Sequence, residues 1–193
     1  MIPTRSDDQD REDMLRLRSG NDPALNALME RHGERLFQYL LRQLSNQSEA
    51  EDIVQETFVR IYHNRDRFDA KQRFSTWLYT IATNLLRDRF RWIKRHPQTS
   101  LDSATPQGGS LLDALPESNP GPDEQLAFGE RAAQVQHAIQ SLPDDLRNAL
   151  ILSEYQELSH AEAGAILNCS PKAVETRIYR AKALLRKALQ SLL

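Results

Sequence analysis

Half of the helix-breaking residues of this chain are gathered in one place. Pro97, Pro106, Gly108, Gly109, Pro116, Pro120, Gly121 and Pro122 all fall between His96 and Glu124. On either side Pro and Gly are sparse and scattered. Such a distribution predicts an all-α protein, because long stretches carry nothing that interrupts a helix. It also predicts a break: two small helical domains joined by a flexible acidic linker. We place a tail and the start of the first helix at 1–23, a first module at 24–95, the linker at 96–125 and a second module at 126–193. With 193 residues in total, each module is small but large enough for its own core.

Charge follows the same division. The linker carries Asp102, Asp113, Glu117, Asp123 and Glu124 and no Lys or Arg. Two stretches are basic instead. Arg87, Arg89, Arg91, Lys94 and Arg95 oppose only Asp88, and Lys172, Arg177, Arg180, Lys182, Arg186 and Lys187 oppose only Glu175. A formal net charge of −2 argues against indiscriminate nucleic-acid binding, whereas two local basic faces suit a gated DNA binder. No apolar run is long enough to span a bilayer, and the charged N-terminus, MIPTRSDDQDRED, lacks the apolar core of a secretory signal. The single cysteine, Cys169, excludes an internal disulfide and a CxxC metal site, as expected of a cytoplasmic protein.

In the first module Leu25, Leu28, Met29, Leu36, Leu40 and Leu44 recur at helical spacing. Ser48 is expected to cap a second helix whose stripe is Ile53, Val54, Thr57, Phe58, Ile61 and Tyr62. Asp52, Gln55, Glu56, Arg60 and His63 fall on its opposite side. Ser75 or Thr76 is expected to cap a third helix from about Trp77 to Ile93, with Leu78, Ile81, Leu85 and Trp92 inward. Aromatic and basic residues alternate along this helix. Stacking on unpaired bases with guanidinium groups on phosphates is one use of that mixture, and ordinary core packing is the other.

The second module holds the most informative run, ELSHAEAGAILNCSPKAVETRIYRAKALLRKAL. Ser159 and Glu162 form a capping box, and Gly164 leaves room for a close approach. Asn168 can take the left-handed turn conformation, Ser170 is a second N-cap and Pro171 suits the first helical position. Val174 and Ile178 point inward, with Lys172, Glu175, Thr176, Arg177 and Arg180 outward. A short helix, a tight turn and a second helix with a basic face make a helix-turn-helix, whose second helix enters the major groove of DNA. Positions early in that helix reach base edges, and Arg180 reaches phosphate.

Enzyme chemistry finds no support. His32, His63, His96, His137 and His160 show no paired ligand spacing. No P-loop, GxGxxG, GxSxG or kinase signature occurs. No catalytic residue, metal site or cofactor is expected. Two other readings use the same residues: a stand-alone helix-turn-helix regulator, and a helical adaptor or enzyme working through the acidic face.

The run AEDIVQETFVRIY, from Ala50 to Tyr62, resembles the core-binding signature of bacterial extracytoplasmic-function (ECF) sigma factors. FSTWLYTIATNLLRDRFR, from Phe74 to Arg91, resembles the promoter-melting helix that follows it in that family, and the C-terminal run resembles region four. The resemblance implies docking on RNA polymerase core, the β′ clamp and β, through Asp52, Gln55, Glu56 and Phe58. It implies contact with the −10 element through Phe68, Phe74, Trp77, Asn84, Asp88 and Arg91, with a base held by the loop from Asp66 to Thr76. It implies reading of the −35 element through Ser170, Lys172, Glu175, Thr176, Arg177 and Arg180. Promoter DNA and an anti-sigma protein are then the other partners, and no membrane insertion is expected. The linker would thread towards the RNA exit channel. This sequence departs from the family where Glu162, Ala163 and Gly164 replace Glu-Ile-Ala and where Asn168 replaces the turn glycine. The first change is expected to loosen packing by roughly 1–3 kcal/mol.

Overall fold

The structure, a computed structural model, describes residues 5–96 and 122–190, and every regular element among them is helical. The expected linker falls almost entirely outside the described residues. The order is α1 (Arg5–Arg18), α2 (Pro23–Leu44), α3 (Gln47–His63), a 3-10 turn (Arg65–Arg67), α4 (Phe74–Arg95), α5 (Pro122–Gln140), α6 (Asp144–Leu150) with a π-helical turn (Ile151–Tyr155), α7 (His160–Leu167) and α8 (Pro171–Ala188). Two helical bundles result, α1–α4 and α5–α8.

Local chemistry sets the boundaries. Pro23 starts α2, and Ser45 ends it in the left-handed conformation at φ 53°. The cap of α3 is Asn46, not Ser48: its side chain accepts from the Glu49 backbone N–H at 3.1 Å, and Ser48 lies inside the helix. Helix α4 begins at Phe74, earlier than expected. Arg73 stands at its cap position with no side-chain cap, so neither Ser75 nor Thr76 plays that part.

The first bundle packs Leu28, Leu36 and Leu40 of α2 against Ile53, Phe58 and Ile61 of α3 and Leu78, Ala82, Leu85 and Leu86 of α4. Trp92, expected inward, is exposed. Helix α1 is a built part of this bundle rather than a tail. Met14 and Leu17 are fully buried, and the buried carboxylates Asp10 and Asp13 are held by Arg31 and His32 of α2. The second bundle buries Leu146, Ala149, Leu150, Ile151 and Leu152 with Ile166, Val174, Ile178 and Ala181.

The bundles are not apart. One continuous core runs through both, with α4 lying against α7 and α2 against α5 and the π-helical turn. The sequence pointed to two bodies on a tether; the structure places them in contact through a seam where apolar residues of the shared core meet buried polar groups, Tyr39 and Gln43 bonding to Asn148 and Tyr79 to Gln156. Among the described residues no helix is long and apolar enough to cross a membrane.

Candidate nucleic-acid and protein interfaces

The helix-turn-helix is built as its spacing predicted. Ser159 Oγ accepts from the Glu162 N–H, and the Glu162 carboxylate accepts from the Ser159 N–H at 2.9 Å. Helix α7 ends on Asn168 in the left-handed conformation, φ 54°. Ser170 Oγ then accepts from the Ala173 N–H at 3.2 Å, and Pro171 opens α8. Gly164 has a sharper purpose than a helix crossing. A Cβ there would sit 2.6 Å from the Cys169 carbonyl oxygen, so the turn folds back onto the helix that precedes it. The loosening expected in this motif concerns its neighbour Ala163, which is fully buried.

Helix α8 buries Val174, Ile178 and Ala181 and leaves Lys172, Glu175, Thr176 and Arg180 exposed. Lys172 pairs with Glu175 at 2.8 Å, which draws the Glu175 carboxyl below its usual range. Two expected contact residues have internal tasks. Ser170 serves as the cap, and Arg177, half-buried, ion-pairs with Asp145 at 3.5 Å and donates to Cys169 Sγ at 3.3 Å. Arg177 thus ties α8 to α6 rather than facing outward. Tyr179 was missed. It is 76% exposed on the face shared by Lys172 and Thr176, and the four- and three-residue steps between them could have signalled it.

On α3 the residues Asp52, Gln55 and Glu56 are exposed along one edge, and Glu56 accepts from Arg60 at 2.8 Å. Val59, which the sequence reading left out, sits among them half exposed. The edge is therefore acidic with an apolar residue at its C-terminal end. Phe58 is only 3% exposed and belongs to the core, so it lies behind this edge rather than on it.

The aromatic residues near α4 are corrected in the same way. Phe68 and Phe74 are at most 3% exposed and Trp77 is half-buried. Their rings pack together, Phe68 on Trp77 at 5.3 Å and on Phe74 at 6.2 Å between centroids. Phe74 also meets Trp77 at 6.4 Å, so the three rings form one cluster. Asn84, Asp88 and Arg91 form an exposed edge of α4 as expected, with Arg91 paired to Asp88 and Asn84 accepting from Arg87. Arg89 turns towards α3 and binds Glu49 at 2.8 Å, which raises the guanidinium pKa. Among the described residues no group of His, Cys, Asp and Glu side chains is placed to hold a metal ion.

Comparison with known proteins agrees with this layout. Residues 28–96 match Sigma-70 region 2, and residues 132–185 match Sigma-70, region 4. The chain is 38% identical over 178 residues to the ECF RNA polymerase sigma factor SigW of Bacillus subtilis, covering 91% of this chain and 94% of that one. It is 34% identical over 186 residues to the RNA polymerase sigma factor CnrH of Cupriavidus metallidurans, covering 96% of both. The solved structure of CnrH in complex with the cytosolic domain of CnrY superposes with a TM-score of 0.70 at 29% identity, covering 95% of this chain and 98% of CnrH. The chain belongs to the ECF family of RNA polymerase sigma factors, non-enzymatic proteins that bind core polymerase and direct transcription initiation.

Proposed function

We propose that three exposed edges divide the work of initiation. The α3 edge of Asp52, Gln55, Glu56 and Val59 docks on a basic surface of core polymerase, the β′ clamp, with the carboxylates steering the encounter and Val59 giving apolar contact. The α4 edge of Asn84, Asp88 and Arg91, with the loop at 66–76, engages the separated −10 strand. The exposed face of α8, Lys172, Glu175, Thr176 and Arg180, reads the −35 duplex in the major groove. The observation that carries this reading is the pairing, on one chain, of a helix-turn-helix with an open polar face and a second bundle whose α3 edge is acidic.

A further partner is an anti-sigma protein, a reading supported by the solved CnrH structure, in which the sigma factor is bound to another protein, the cytosolic domain of CnrY. Co-purification with candidate partners tests that point.

The main test is run-off transcription with purified core polymerase. Wild type initiates at a two-element promoter, and the double variant Asp52→Arg with Glu56→Arg does not. A wild-type chain that fails to bind core ends the proposal. Tight operator binding by the isolated chain would favour a stand-alone regulator instead.

A further inference from the structure

Helix α1 is joined to more than the core. Besides burying Met14 and Leu17, it carries a second row of side chains, Asp7, Arg11 and Arg18. Steps of four and seven residues put these three on one stripe of the helix. Each of them reaches the connection between α3 and α4. Arg18 meets Asp66, in the 3-10 turn, at 4.0 Å. Arg11 Nε donates to the Ala70 carbonyl at 2.9 Å. Asp7 accepts from Arg73 Nε at 2.9 Å. The start, middle and end of the connection are therefore each held by the same helix face.

Within the connection, Phe68 and Phe74 are fixed by their burial in the core. Between them Asp69, Lys71 and Gln72 are exposed, while Ala70 and Arg73 are half-buried. The half-buried pair are the two residues that Arg11 and Asp7 hold. Bonds within the segment are local: Asp69 accepts from the Lys71 N–H through its side chain, at 2.9 Å, and from the Gln72 N–H through its carbonyl, at 3.0 Å. Local turn bonds set a bend but not where the bend sits on the molecule. Arg73 carries a further demand. It stands at the cap position of α4, where the helix dipole disfavours a cation. The carboxylates of Asp7 and, from α7, Glu162 at 2.8 Å offset that charge. Asp7 thus steadies the end of the connection and the first turn of α4 together. Arg18 and Asp66 are both exposed, so their pair contributes little, and the hold rests on Arg11 and Asp7.

We propose that α1 is a brace for the strand-binding loop: Arg11 and Asp7 are positioning residues that keep residues 66–73 in the shape that receives the separated −10 strand. The inference rests on the reading of that loop as part of the −10 site. A loop free to sample many shapes binds with an affinity reduced by the fraction in the competent shape. Loss of one charge-assisted hydrogen bond lowers that fraction about tenfold.

The experiment uses the full chain. Arg11→Met keeps the apolar stem and removes the donor, and Arg11→Lys keeps a cationic donor. Asp7→Ala leaves Arg73 with Glu162 alone. In the free chain, trypsin cleavage after Lys71, read by mass spectrometry, reports how often the loop leaves its place. In holoenzyme assembled on core polymerase, binding to a single-stranded −10 oligonucleotide and to a −35 duplex is measured beside affinity for core. In Arg11→Met, cleavage after Lys71 rises and −10 strand affinity falls, each about tenfold. Asp7→Ala moves both in the same direction by less, and Arg11→Lys restores most of each. Affinity for core and for the −35 duplex stays at the wild-type value, which general damage to folding would not allow. Unchanged cleavage after Lys71 overturns the brace even where strand affinity falls, since Arg11 would then be a direct phosphate contact. Faster cleavage with unchanged strand affinity overturns the positioning role, as does an equal loss of affinity for strand, duplex and core. A wild-type holoenzyme that binds no −10 strand refutes the reading of the loop and takes the positioning role with it, whereas unchanged cleavage refutes the brace alone.

Discussion

Gly164→Ala is the most informative single substitution, because two effects of opposite sign meet there and the structure decides between them. Alanine inside a helix is favoured over glycine by about 1 kcal/mol. Against that, the new Cβ would lie 2.6 Å from the Cys169 carbonyl oxygen, a backbone atom with no rotamer to escape into. Normal contact needs almost 1 Å more. The same turn carries the Cys169 N–H bond to the Gly164 carbonyl at 2.9 Å, so moving Cys169 away strains that bond as well. Overpacking of this sort costs about 1–3 kcal/mol, with backbone clashes at the upper end. The balance is a loss of about 2 kcal/mol, or a fall in Tm of about 4–8 °C for a chain of this size. Since the displaced turn sets the angle of α8, binding of a −35 duplex to holoenzyme falls further than stability does. Thermal melts and holoenzyme binding to promoter duplex measure the two. A stabilised Gly164→Ala protein would refute the reasoning.

Phe68→Ala empties the aromatic cluster and costs about 3–5 kcal/mol, whereas Asn84→Ala leaves stability within about 0.5 kcal/mol and impairs strand opening. Urea melts and permanganate footprinting separate the two, and a stable Phe68→Ala chain would return that ring to a DNA role. Ser159→Ala removes the α7 cap at a cost of about 1–2 kcal/mol, read from the same melts; no change would mean the box is ornamental. Burial pushes the Glu162 carboxyl up, but hydrogen bonds from Ser159 and Arg73 outweigh it and leave its pKa below the ordinary value. A depressed folded pKa contributes stability above the unfolded pKa, about 4.3, and loses it as pH falls through the folded one. The stability contributed by Glu162 is therefore lost on acidification below the ordinary carboxylate range, a step absent in Glu162→Gln and visible in thermal melts across pH; a loss confined to alkaline pH would contradict it.

The C-terminal motif was almost wholly legible, because each of its signals is local: Ser159 with Glu162, Asn168 and Ser170 act within four residues of their partners. The roles of Phe58, Phe68 and Phe74 were not. An aromatic on a helix reads the same whether it meets core or base, and only the third dimension assigns it. Arg177 was misplaced for a related reason: its partners, Asp145 and Cys169, sit on another helix and in the turn. The seam was invisible altogether. Gln43, Asn148 and Gln156 look like surface residues in any window of sequence, and their burial arises only from how two bundles meet.

Helix α1 bears on how the protein is handled. Its carboxylates Asp10 and Asp13 neutralise Arg31, and Asp10 also holds His32, whose ring leans on Phe74 at 5.0 Å. A shortened chain that starts at α2 would leave that guanidinium without its counter-ions and take the fully buried Met14 and Leu17 out of the core. Fragments cut to begin at residue 28, where the family match begins, would be expected to aggregate for this reason alone.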